Sequence, residues 1–189
     1  MGSALKFSAG IVSAFLIHEG SHALVAKLTN TDMTWEAGTL NQPIAFTENA
    51  NTDSKGLAIN SAGLISQAVG GEIILQTDRI DKNGAFVRGM MTWNILNPIL
   101  YSLDYWVFHS TNKINGNSYQ GDLAGIERYS NKATADGFAL SMSAIAVFQG
   151  YRFLKTQSWA PEWLKDPSRS MSLAPLHSGG FIVGYKFEF

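Results

Sequence analysis

The chain has 189 residues, the size of one domain or of one domain with a short appendage. A net charge of −1 excludes the basic field that nucleic-acid binding needs, and the lack of cysteine removes disulfides, thiolate ligands and a cysteine nucleophile together. Charged residues make up 15%, against about 25% in soluble domains, and with 18 Gly and 11 Phe that deficit points to a membrane.

Residues 4–28 (ALKFSAGIVSAFLIHEGSHALVAKL) form the first long apolar segment, with Lys6 and Lys27 near its ends and no proline. Its start resembles a secretory signal, but no small-x-small cleavage site follows, and cutting near Ala26 would discard the chemistry inside it. The segment is therefore expected to be retained. Within it, His18-Glu19-Gly20-Ser21-His22 is an H-E-x-x-H pattern that holds two of the chain's four histidines. On a helix, positions i and i+4 share a face, so His18 and His22 can hold one metal ion. Glu19 beside them can take a proton from a water that the metal activates. Without cysteine, the metal must be held by His and carboxylate, the donor set of catalytic zinc sites, and Zn²⁺ is the expected cofactor.

Residues 29–55 are polar and bracket two short runs, TWEAGTL and PIAFTE, which suit a β-hairpin with Pro43 on an edge strand. The second apolar segment, 56–75, carries Asn60, Gly63, Gln67 and Gly70 at helical spacing. Glu72 lies near its far end and is discounted as a ligand. The third segment, 85–109, places Asn94, Asn97, Tyr101 and Asp104 on one face, with Pro98 interrupting the helix. An acid in such a segment is a functional candidate by default. If three segments cross antiparallel, the first and third run the same way, and Asp104 reaches a depth close to that of the histidines. Asp104 is thus the expected third ligand, and Tyr101 or Asn97 could hydrogen-bond an oxyanion.

Residues 110–132 are expected to be loop. There Asp122 is expected to cap a short helix, with a role as alternative third ligand kept open. Residues 133–154 form a fourth apolar segment, and the two Trp of WAPEWLKDP suit a lipid-headgroup level. The chain closes on an alternating aromatic strand, 181–189, expected to join the 33–48 hairpin or the sheet of a partner protein.

Together these elements predict a mainly α fold, a polytopic bundle of about four membrane-length helices with a small β-hairpin or edge-strand element. Residues 1–155 would form the membrane-embedded metallopeptidase-like core, and 156–189 an interfacial tail. With the N-terminus inside, nine basic residues fall inside and five outside, which favours that orientation. The expected setting is a bacterial inner membrane.

The H-E-x-x-H helix, the hairpin-like stretch after it, and the later Asn97-Pro98…Leu103-Asp104 segment resemble the intramembrane zinc proteases of the site-2 protease family. The resemblance covers roughly residues 4–110. It implies zinc on His18, His22 and Asp104, with Glu19 as general base, although Tyr105 follows Asp104 where the family has Gly. The implied activity is zinc-dependent hydrolysis of a peptide or membrane-protein substrate. Two other classes fit the same residues: a soluble H-E-x-x-H zinc peptidase, and a non-peptidase membrane subunit with a structural or vestigial metal site.

Overall fold

The computed structural model describes residues 2–37, 44–109, 121–165, 171–175 and 181–185. Residues 38–43 with Pro43, residues 110–120 of the stretch expected to be loop, and the last four residues of the expected strand lie outside them. The described chain is mainly helical. Helix α1 (Ser3–Leu28) is followed by the antiparallel strands β1 (Met33–Ala37) and β2 (Ile44–Glu48), then α2 (Asp53–Gln76) and α3 (Ala85–Asp104). A π-helical turn, Tyr105–His109, ends the third segment. After it come α4 (Asp122–Arg128), α5 (Lys132–Thr156), the single turn α6 (Glu162–Lys165), and strands β3 (Met171–Pro175) and β4 (Phe181–Tyr185).

Helix starts follow local chemistry. Thr52 accepts from the Lys55 amide to cap α2, and Asn131 accepts from the Thr134 amide at 2.9 Å to cap α5. Helix α1 buries Gly10, Ala14, His18, His22 and Ala26, one residue per turn, and turns Val12, Leu16, Ile17 and Leu24 outward. That is the reverse of a water-soluble surface helix, whose large apolar residues face the core.

The small stripe lets backbones meet. A Cβ on Gly10 would strike the Phe86 carbonyl, and one on Gly89 the Phe7 carbonyl, so α1 and α3 lie in close contact. These pairs, with Phe15 edge-on to Trp93 at 5.7 Å, set α1 and α3 parallel, as expected for the first and third crossings. Helix α2 runs the other way: His22 meets Ile59, whereas His18 meets Gly63.

Two expectations need correction. Among the described residues, only α1 and α2 are long and apolar enough to cross a membrane, where four such helices were expected. Arg88, Asn94 and Asn97 in α3, and Asp136, Gln149 and Arg152 in α5, lower the hydropathy of the other two. The terminal strand does not join the first hairpin: β4 pairs antiparallel with β3, Met171 opposite Tyr185, in a separate two-stranded sheet. Proximity in sequence favours that short-range pairing. The short helix expected at Asp122 is α4, embedded by Leu123 and Ile126, both fully buried against Leu64, Tyr105 and Ala139. Burial of each such side chain contributes about 1.5–3 kcal/mol, enough to hold a seven-residue helix that would not persist alone.

Candidate metal centre

The periodicity of α1 puts His18 and His22 on its buried face, one turn apart, at 2% and 0% exposure. Their Nε2 atoms are 3.3 Å apart. The Nδ1 of His22 lies 2.7 Å from the Ile59 carbonyl, which can only accept, so Nδ1 carries the proton and Nε2 presents a lone pair.

The third member is Asp122. Gly121, with φ of 137°, turns the chain into α4 in a conformation that residues with side chains rarely adopt, and Asp122 opens the helix facing the imidazoles. Its Oδ2 is 3.2 Å from His18 Nε2 and its Oδ1 is 3.4 Å from His22 Nε2. Among the described residues, these three form the only group of His and carboxylate side chains close enough to share an ion.

The donor set fits zinc. Tetrahedral ligands at 2.0–2.1 Å from Zn²⁺ sit about 3.3–3.4 Å from one another; the two Nε2 atoms are 3.3 Å apart, and Asp122 turns a different oxygen to each, Oδ2 to His18 at 3.2 Å and Oδ1 to His22 at 3.4 Å. One donor atom is also left over: Asp122 Oδ2 is buried without a hydrogen-bond partner among the described residues, although it lies 3.2 Å from His18 Nε2. A buried carboxylate oxygen left this way beside an imidazole suits a shared cation. Beside both Nε2 atoms the wall is Gly63, where any Cβ would collide with the two imidazoles. Glycine at this position keeps α2 from pressing a side chain onto the two Nε2 atoms.

Asp104 does not join the group. Its expected place level with the histidines is taken by Tyr101, whose ring centroid is 6.1 Å from that of His18. Asp104 lies three residues farther on, about 4.5 Å along the axis, half-buried at the end of α3. Nor does Asp122 cap its helix: Gly121 is the N-cap, and the carboxylate faces the imidazoles instead. Asn97 is buried, but it donates from Nδ2 to Gln67 Oε1 at 3.0 Å, so that proton is committed within the protein. Glu19 is half-buried beside His18, within electrostatic reach of His18, Asp122 and His22. Glu72 is occupied elsewhere, paired with Arg152 at 2.7 Å.

No protein-family model, curated protein or solved structure matches the chain. What the site can do therefore rests on its own geometry.

Two features had no clear sequence signal. Phe46 of β2 stacks on His22 at 4.7 Å, with Trp35 of β1 5.7 Å from Phe46, so the first hairpin covers one side of the centre. Glu48, at the end of β2, is buried and accepts from Asn60 Nδ2 at 2.9 Å, which ties that hairpin to α2. The Asn60 that anchors it neighbours Ile59, the residue that orients His22.

Proposed function

We propose that the protein is a zinc-dependent peptidase acting within or at a membrane on peptide or membrane-protein substrates. The observation that carries this reading is the buried cluster of His18, His22 and Asp122, close enough to share one ion, with the H-E-x-x-H glutamate beside it. His18, His22 and Asp122 would hold the ion. When bound, zinc supplies a Lewis acid and brings the pKa of water from 15.7 to about 7. Glu19 accepts a proton as the water oxygen adds to the scissile carbonyl carbon, then delivers it to the amine nitrogen as the C–N bond breaks. Phe46 and Tyr101 flank the imidazoles and exclude bulk water.

A membrane setting is supported by α1, which buries small and polar residues and exposes large apolar ones, and by Ile65, Val69 and Ile73 exposed on α2. The surplus of basic residues favours an orientation with the N-terminus inside. The hairpin β1–β2 has only two strands, and a groove of about 450 Å³ lies between Ala23, Ala26 and Lys27 of α1 and Met33 and Trp35 of β1. An extended substrate segment suits that edge, since a peptide held as an added strand is already unwound for cleavage.

A second reading, a non-peptidase membrane subunit with a structural metal, draws on the near-complete burial of all three ligands. Zinc analysis of detergent-purified wild type, His22→Ala and Glu19→Gln separates the two. The peptidase reading expects one zinc per wild-type chain, loss of it in His22→Ala, and a Glu19→Gln protein that keeps zinc but not cleavage. Wild type without stoichiometric zinc overturns both; unchanged function in Glu19→Gln leaves the structural one.

A further inference from the structure

Gln67 is 1% exposed, and its Nε2 has no hydrogen-bond partner among the described residues. A buried amide left this way bears its desolvation cost without compensation, so its retention in the middle of a helix needs a reason. Its oxygen is accounted for: Oε1 accepts from Asn97 Nδ2, which fixes the plane of the amide and frees the NH₂ to point elsewhere.

The helix registers place that NH₂ next to the metal centre. On α2, Gly63 faces both imidazoles, and Gln67 follows one turn later on the same face. On α3, Tyr101 lies against His18, and Asn97 precedes it by one turn. The Gln67–Asn97 pair is thus the layer directly beneath the imidazoles. On α1, the residue one turn before His18 is Ala14, buried and too small to fill that layer. Long side chains on a helix lean toward the preceding turn, which for Gln67 is the turn of Gly63, where no side chain intervenes.

We infer that Gln67 is the oxyanion donor of the site: its Nε2 hydrogen-bonds the scissile carbonyl oxygen as negative charge develops there, with Asn97 as the positioning residue. This rests on the peptidase reading above and shifts the role expected of Asn97 by one residue contact. A donor held unpaired in the resting protein and satisfied only by the reacting oxygen is how binding energy is reserved for the transition state.

The test uses full-length, zinc-loaded protein in detergent and a phosphinic pseudo-tripeptide with leucine side chains flanking the phosphinate, a tetrahedral anion that imitates the charged oxygen. Its dissociation constant is compared for wild type, Gln67→Met and Gln67→Glu, with zinc content and the thermal midpoint measured alongside. Gln67→Met removes the donor at similar volume. Gln67→Glu keeps the oxygen that accepts from Asn97, and it carries the comparison if Gln67→Met fails to fold. The expected result is binding weaker by about 100-fold or more, with zinc retained in the folded variants. Equal affinity in wild type and variant, with zinc bound in both, overturns the role of Gln67 and leaves the peptidase reading intact. A wild type that holds zinc but neither binds the phosphinate nor cleaves peptides overturns both.

Discussion

The Nδ1–H of His22 donates to the Ile59 carbonyl at 2.7 Å, and this one bond ties the metal motif of α1 to the backbone of α2. It fixes the tautomer, leaves Nε2 bare, and orients the ring toward His18 and Asp122. The second-layer contact and the ligand thus come from different helices, which makes the site dependent on their packing.

Asp122 and Asp104 separate cleanly by metal content. Asp122→Asn should weaken zinc binding by about 100-fold or more, because it removes the carboxylate that, among the described residues, is grouped with both imidazoles. Asp104→Asn should leave zinc at one per chain. Elemental analysis after dialysis against a weak chelator reads both, and zinc loss in Asp104→Asn alone would reverse the assignment.

Gly63 is a steric test of the same centre. Gly63→Ala places a methyl group against His22 Nε2 and His18 at once, where neither ring can move without giving up its contacts. The expected outcome is loss of stoichiometric zinc, with about 1–3 kcal/mol of overpacking cost. Gly20, on the same helix as the histidines, has nothing within 4 Å of where its Cβ would be. Gly20→Ala should therefore keep both zinc and stability.

Tyr105 makes stability depend on alkaline pH. Burial, and then the hydrogen bond its O–H donates to Glu127 Oε2 at 2.5 Å, push its phenol above the usual tyrosine range. With the folded pKa raised, the unfolded chain loses its proton first. The stabilisation is complete below about pH 10 and is lost as the pH rises beyond it. Tyr105→Phe should lower stability at pH 8 by about 1.5–3 kcal/mol, the range for a hydrogen bond to a charged group. It should also flatten the decline between pH 9.5 and 11, read as the thermal midpoint across that range. An unchanged slope would show that the phenol does not titrate with folding.

Much of the architecture was legible from periodicity. The long helices, the 33–48 hairpin and the parallel run of the first and third segments all follow from local spacing and chain reversal. The membrane-length count was not, because composition averaged over a segment hides how Arg88, Asn97 or Gln149 dilutes it. The partner of the last strand was misplaced, since alternation identifies a strand but carries no information about what it pairs with.

Local geometry alone was enough for His18, Glu19 and His22: an α-helix repeats every 3.6 residues wherever it sits, so two imidazoles four apart must share a face. No such rule reaches the third ligand, about a hundred residues downstream. Its choice between Asp104 and Asp122 turned on which residue α3 presents at the level of the imidazoles, and on Leu123 and Ile126 burying α4 against the bundle. Those are contacts between distant segments, fixed by packing when the chain folds back on itself, and spacing along the chain does not encode them.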